Sequence, residues 1–497
     1  MSNIRIRYSG LILLASRFFS TVTGLLFTVM VTRRLSVVEF GIWQYITVLL
    51  GYFILPSSIA SFWVTRGVAR GSKVARLGIL TNVLLSLMAA GLFSALAIPL
   101  SGGIGASSLY FLLCAIQLPE IYILNTLEAV ASGTKPEVFG YSTIIFESAK
   151  VIVGLILVVI LRTGLTGAIL AVVVAYFAQI VMMAFCVRAY MDGSLDRGTL
   201  RRWLSLFWIP TFNQVAIQLY FLDTIILTAV TGSTVPIAML KAAQIFGTVI
   251  LTTGLLAAPL YPKLLGGGTP SDIDTALKMV LMFATPSTLG VVLLSEPLLS
   301  ILRLEYVQAR FALIAIALAS FLNSIGGALD AIIMGTERVD EFGNVAFGRF
   351  IRSRLALLPS LAFVQDAIYL TLLAITAPIL YSMRVEPSII ALDAAVIALL
   401  TTLPIFLFKY RLAKKIMPFR FPLMALRRYA IAALAMAVAL IVPSLSGLVV
   451  ISENISKVMS TLLPMIGAGA VVYFSALTLI DKDMRNIVRA ISKRLAK

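Results

Sequence analysis

Three bases and seven acids sit inside apolar stretches of this 497-residue chain, where little water is at hand to solvate a charge. The bases are Arg17, Lys150 and Lys241; the acids are Glu120, Glu128, Glu147, Asp223, Asp330, Asp366 and Asp393. An ionised side chain at the centre of a bilayer costs about 2.5–3.5 kcal/mol on insertion scales, so each must face a cavity or find a partner. Glu128, Asp330, Lys241 and Asp393 lie within about a turn of the end of an apolar stretch and can reach water by snorkelling. Asp223 is intermediate, and Arg17, Glu120, Glu147, Lys150 and Asp366 are deeper. Glu147 and Lys150, three residues apart on one helix, either neutralise each other or serve a ligand. Arg17 has no acid within four residues. Its planar fork suits a phosphate, and an acid on another helix, such as Glu120, is the alternative partner. The chemistry open to such a set is binding and release of a charged group. With no histidine, and with Cys114 and Cys186 both inside apolar stretches, histidine base catalysis, His/Cys metal sites and a disulfide framework are all unavailable. No metal or cofactor is expected.

The elements that must hold these charges are fourteen apolar runs, at about 9–32, 42–65, 78–100, 107–132, 138–161, 166–187, 204–230, 238–260, 276–295, 311–334, 355–380, 388–408, 430–450 and 458–480. A hydrocarbon core about 30 Å thick takes about 20 apolar residues per helix, so the chain reads as an all-α polytopic membrane protein. Its 60% apolar and 12% charged residues do not fit a soluble domain of this length. The first run carries Arg17, lacks a small-residue cleavage site and is too long for a signal peptide, so it is expected to be a retained helix.

The basic residues orient the array. With the N-terminus in the cytoplasm, 30 of the 40 Lys and Arg fall in the N-terminus, the even-numbered loops and the tail, and 7 fall on the other side. The positive-inside rule then places both termini in the cytoplasm. A net charge of +18 is explained by those loops lying against an anionic inner leaflet, not by nucleic acid. The tail, 481–497, sets Met484, Ile487, Val488, Ile491 and Leu495 on one face and should lie along that leaflet. No long outer loop is present to carry the acidic residues that polytopic enzymes display, which argues for a non-enzyme.

A repeat organises the chain. Leu127-Glu128-Ala129-Val130-Ala131-Ser132-Gly133-Thr134, reaching Phe139-Gly140, matches Leu329-Asp330-Ala331-Ile332-Ile333-Met334-Gly335-Thr336, reaching Phe342-Gly343. The match equates the fourth run with the tenth, and the even number of intervening runs makes the repeat parallel. Each Gly is expected to end its helix in the left-handed conformation. Two six-helix lobes follow, 1–202 and 203–410, with a basic linker and two further helices over 411–480 and the tail beyond. Pro56, Pro119, Pro210, Pro286, Pro359 and Pro404 are expected to interrupt runs 2, 4, 7, 9, 11 and 12.

The chain resembles the multidrug, oligosaccharidyl-lipid and polysaccharide exporter superfamily, and within it the polysaccharide flippases. The likeness rests on Arg33-Arg34-Leu35 followed by Glu39-Phe40-Gly41, on Asp223 followed by Ala238–Ile245, and on the Gly-Thr exits of the fourth and tenth runs. It implies lobes that open alternately and a polar cavity for the sugar and phosphate headgroup of a polyprenyl-linked glycan in the cell membrane. The two extra helices resemble the lipid II flippases, where they form a lipid groove, although the cluster of arginines lining the first, second and eighth helices there is missing here. The expected substrate contacts are Arg17, Lys150, Lys241, Glu120, Glu147, Asp223 and Asp366, with Trp43 and Tyr220 as sugar-stacking aromatics or members of the interfacial belt. Arg17 in a first run without an acid favours a flippase for an anionic lipid. Asp223 and the excess of acids keep open a multidrug antiporter coupled to a proton or sodium, and a non-transporting membrane scaffold is the third reading.

Overall fold

The computed structural model describes residues 6–193, 195–265, 267–336, 354–445, 451–481, 484 and 485. The tail face beyond Arg485 and the Phe342-Gly343 end of the repeat lie outside them. The described residues are helical, apart from turns, loops and one isolated bridge between Val74 and Gly193. Among the described residues, twelve helices are long and apolar enough to cross a membrane, or thirteen if Pro210–Leu219 and Leu222–Thr231, bent by 41°, count as one span. Helix α1 (Ile6–Arg34) occupies the first run. This is a multi-pass membrane protein. Helices satisfy their interior backbone N–H and C=O groups from within, as lipid requires. Many Thr hydroxyls do the same by donating to a carbonyl one turn back, as Thr81 does to Leu77 and Thr401 to Ile397. Large apolar side chains such as Met88, Ile98 and Leu479 stand more than 70% exposed, an outward face that only lipid can solvate well.

The chain divides into two compact units, Met1–Ala238 and Met239–Lys497. The first holds α1, α2 (Val37–Ile54), α3 (Ser57–Ala69), α4 (Ala75–Ala95), α5 (Ser108–Thr134), α6 (Glu137–Ile160), α7 (Gly164–Val187), α8 (Trp208–Leu219) and α9 (Leu222–Thr231). The seventh run is therefore packed in this unit: the Tyr52 hydroxyl of α2 donates to the Gln218 carbonyl, and Gln218 Nε2 donates back to the Val48 carbonyl. The Glu39-Phe40-Gly41 motif is structural here. Ser36 and Glu39 form a reciprocal capping box at the start of α2, and Phe40 is fully buried. Gly41 meets the backbone of Thr234 so closely that a Cβ there would collide with its carbonyl.

The second unit holds α10, whose range Val235–Thr252 begins at the boundary, then α11 (Leu260–Leu265), α12 (Pro270–Leu293), α13 (Arg310–Gly335), α14 (Arg354–Ser382), α15 (Pro387–Ile416), α16 (Leu423–Leu445) and α17 (Ile455–Ile480). The last two helices pack on α12, where the buried Tyr473 hydroxyl donates to the Met282 carbonyl at 2.6 Å. Arg428 pairs with Asp481 at 3.1 Å and ties the start of α16 to the end of α17.

The two copies of the repeat are alike in detail, but the glycines work differently from the expectation. Neither Gly133 nor Gly335 has a positive φ. Each instead lets another helix approach: a Cβ on Gly133 would sit 3.1 Å from the Ala69 nitrogen of α3, and one on Gly335 would sit 3.0 Å from the Tyr261 carbonyl oxygen of α11. The threonines that follow also match, Thr134 donating to the Val130 carbonyl and Thr336 to that of Ile332. Close packing against backbone atoms cannot relax by a rotamer change, so Gly133→Leu and Gly335→Leu should each lower stability by about 1–3 kcal/mol. Thermal unfolding of the purified variants in detergent checks this, and an unchanged midpoint would discard the packing role.

The prolines also divide. Pro56 separates α2 from α3, and Pro119 kinks α5 at Ile116, since its ring crowds the carbonyl four residues back. Pro286, Pro359 and Pro404 are carried inside continuous helices, and Pro210 sits in the first turn of α8. The seventh run bends at Tyr220 and Phe221 instead, without a proline.

At the edge of the first unit, Lys73 pairs with Asp192 at 2.7 Å, closing the α3–α4 loop on the segment after α7 beside the Val74–Gly193 bridge. The Lys73 ammonium and then the Gly193 N–H hold the Asp192 carboxyl below the ordinary carboxylate range, and the same hydrogen bond raises Lys73. Both side chains are solvated, so this pair orders the loop without adding much stability.

Candidate functional site

The first polar cluster of the unit joins α1 to α6. Glu147 is buried and accepts three donors: Ser20 and Thr23 of α1, each at 2.9 Å, and Lys150 one turn along α6, at 2.8 Å. The Lys150 ammonium also lies over the rings of Phe27 (5.4 Å) and Phe146 (4.9 Å). A cation with a carboxylate and two aromatic faces around it is well compensated for leaving water. Trp43 joins the same cluster from α2, edge-on to Phe27 and Phe40. Arg17 lies one turn before Ser20 on α1 but is exposed, and among the described residues it forms no ion pair with Glu120 or any other acid. Glu120, on α5, keeps one buried carboxylate oxygen without a hydrogen-bond partner among the described residues.

The other expected residues are dispersed. Asp223 is fully buried at the start of α9 and accepts from the Thr224 hydroxyl at 2.9 Å. Tyr220 stands at the bend just before it, edge-on to Phe221 at 5.6 Å. Lys241 and Asp366 belong to the second unit and are buried there. In that unit Asp330 is paired with Lys409 at 2.9 Å, and Asp393 accepts from Thr376 at 2.5 Å. The structure thus brings Glu147, Lys150 and Trp43 together, with Arg17 one turn away along α1, and places Asp223 and Tyr220 at the start of α9.

A cavity lies elsewhere in that unit, beside the break between α2 and α3, and holds about 650 Å³. That size suits a small-molecule site, for which about 300–1,000 Å³ is usual. Its walls come from α2, α3, α5, α6 and α8, with Ser57, Ser58, Ser61, Thr65, Asn125, Glu128, Ser132, Gln214 and Gln218 as polar members and Ile54, Leu55, Phe62, Phe139 and Pro210 among the apolar ones. None of the lining residues is basic. The break itself is held open by hydrogen bonds. The buried Tyr122 hydroxyl takes the freed Phe53 carbonyl at 2.6 Å, Asn125 donates to the Ser57 hydroxyl at 2.7 Å, and Asn82 donates to Thr126 at 2.7 Å and reaches the Ser57 carbonyl at 3.2 Å.

Attention to charge alone passed over these neutral groups. Asn82, Asn125, Gln214 and Gln218 stand inside apolar runs, and an amide there needs partners almost as much as an ion does. That was the available signal.

No protein-family model and no curated protein matches the sequence. Solved structures do match. That of the lipid II flippase MurJ in an inward closed conformation agrees with TM-score 0.69 at 14% identity, over 95% of this chain and 99% of that one. An inward-facing multidrug resistance MATE family transporter of the MOP superfamily agrees with TM-score 0.57 at 12% identity, over 80% and 95%. The fold is that of the MOP-superfamily transporters. A MATE in complex with MaD3S matches less closely, at TM-score 0.52 and 15% identity over 83% of this chain. Within the MOP fold the resemblance drawn from Glu39-Phe40-Gly41 and the Gly-Thr exits has a physical basis, because those residues cap and close-pack helices.

Proposed function

We propose that the protein is a flippase that carries a polyprenyl-phosphate- or polyprenyl-pyrophosphate-linked oligosaccharide across the cell membrane by alternating access, without covalent chemistry. The observation that supports this most is the extent of the likeness: the lipid II flippase structure is matched over 95% of this chain, the MATE structures over 80–83%. Arg17, a cation without an ion partner among the described residues, adds a group suited to the lipid phosphate. Purified protein in proteoliposomes is expected to move a fluorescent polyprenyl-pyrophosphate glycan between leaflets and not to export cationic dyes. Dye export driven by a proton or sodium gradient, with no effect on the glycolipid, would give the role to the multidrug antiporter, which the buried Asp223 favours. A scaffold would do neither.

Direction follows from orientation. A single cysteine near Lys415, in a background lacking Cys114 and Cys186, should react with an impermeant reagent only after the membrane is opened, and one near Glu453 should react in intact cells. The opposite pattern would reverse the direction proposed here, which is from inner to outer leaflet.

A further inference from the structure

We propose that the short helix Arg197–Ser205 and the end of α7 form a binding site for the headgroup of an acidic phospholipid, at the place where the chain passes from α7 into α8.

Unbalanced positive charge is fixed there. Arg197, Arg201 and Arg202 are exposed, and their side chains have no hydrogen-bond or ion partner among the described residues. Arg188, just after α7, is likewise exposed and free of any acid, with its guanidinium 4.7 Å from the centre of the Phe185 ring. The two acids of this stretch are already engaged. Asp192 pairs with Lys73 and accepts from the Gly193 N–H, and Asp196 is the N-cap that accepts from the N–H groups of Gly198 and Thr199.

Packing holds these bases in place. Three-residue spacing puts Leu200 and Trp203 on one face of the helix, away from the arginines. Trp203 is buried in the same apolar cluster as Met183 and Val187 of α7, and Leu200 packs against it. The Val74–Gly193 bridge pins the segment between the two helices, and Lys135 at the end of α5 lies over the Tyr190 ring at 5.6 Å.

A phosphate suits such a set, because a guanidinium fork donates two parallel hydrogen bonds to it. A lipid is the bearer that fits, because apolar surface adjoins the charges. Leu195, Leu204 and Phe207 are about half exposed around the helix, and Val181 and Phe185 continue the exposed apolar face along α7. Acyl chains cover that surface while the headgroup meets the arginines. In the orientation proposed above this is the inner leaflet, the more anionic one. Helix α8 begins at Trp208 and brings Gln214 and Gln218 to the cavity, so a lipid held here anchors the chain where it enters that wall.

The test uses the full chain with Cys114→Ser, Cys186→Ser and a fluorophore on Ser205→Cys, in phosphatidylcholine vesicles. Brominated phosphatidylglycerol should quench the fluorophore at a mole fraction about 100-fold lower than brominated phosphatidylcholine, since each of the three arginines beside an anionic headgroup contributes about fivefold. Arg201→Gln with Arg202→Gln should remove about 25-fold of that preference, and Arg201→Lys with Arg202→Lys no more than about threefold. The same charge removed elsewhere, by Arg420→Gln with Arg427→Gln, should change it by less than about twofold, because salt screens distant charges. Arg201 and Arg202 have no partner in the fold among the described residues, so thermal unfolding should stay unchanged. Equal quenching by the two lipids means annular lipid only and overturns the site. A preference that survives the glutamine pair, or falls as far with the control pair, overturns it too. Relief of quenching by millimolar inorganic phosphate would give the arginines to a soluble anion and overturn the lipid. The readout is binding and not transport, so each of these failures leaves the flippase reading untouched.

Discussion

Arg17→Glu is expected to bring glycolipid transport down to background while the protein keeps its stability. Arg17 is exposed on α1, and no acid among the described residues pairs with it, so reversing its charge removes no ion pair from the fold. Two charge-assisted hydrogen bonds from a guanidinium fork to a phosphate contribute about 1.5–3 kcal/mol each, so losing them and adding repulsion costs at least about 100-fold in transport. Arg17→Lys keeps the charge but not the fork and should show a several-fold fall. Flipping rates and thermal unfolding measured on the same preparations separate this from a structural role. If Arg17 partners Glu120 in another conformation, Arg17→Glu will lose stability and Glu120→Arg will restore it. A stable Arg17→Glu protein with normal transport would refute the phosphate role.

Glu147→Ala is expected to lower stability by about 3–5 kcal/mol, the usual cost of removing one partner from a buried ion pair. The change leaves the Lys150 side chain, only 12% exposed, with two ring faces and no carboxylate, and it strips the Ser20 hydroxyl of its acceptor, while Thr23 falls back on the Phe19 carbonyl at 2.7 Å. Glu147→Gln combined with Lys150→Met should recover most of the loss, because Gln keeps an acceptor for α1 and Met fills the space beside Phe27 and Phe146. The double variant also decides the function of the pair. If Glu147 and Lys150 only join α1 to α6, it will transport at a normal rate once folded. Loss of transport without loss of stability would instead make the pair a substrate contact. Denaturation in mild detergent and the flipping assay together give the answer.

Much of this protein was legible in its sequence because lipid as a solvent leaves few choices. The apolar runs forced helices, and each described run appears as one helix or a pair of helices. The Gly-Thr repeat likewise found its counterpart in three dimensions, down to the threonine back-bonds at Thr134 and Thr336. The pairing of Glu147 with Lys150 followed from three-residue spacing, which puts two side chains on one face of a helix whatever surrounds it. Tertiary structure decided the rest. Gly133 and Gly335 are required by the helix that crosses them and not by their own φ, so no local rule could distinguish a cap from a close approach. Whether a proline breaks a helix depended on what takes up the freed carbonyls: near Pro56, Tyr122 from α5 takes that of Phe53, a residue 69 positions away in sequence. Glu128 and Asp330 occupy matching places in the sequence, yet only Asp330 has a lysine beside it, because Lys409 reaches it from a helix 79 residues further on. The cavity is assembled in the same way from five helices. Local periodicity specifies an element and its faces, but which polar groups converge, and which remain free to receive a ligand, is set by packing between residues remote in the chain.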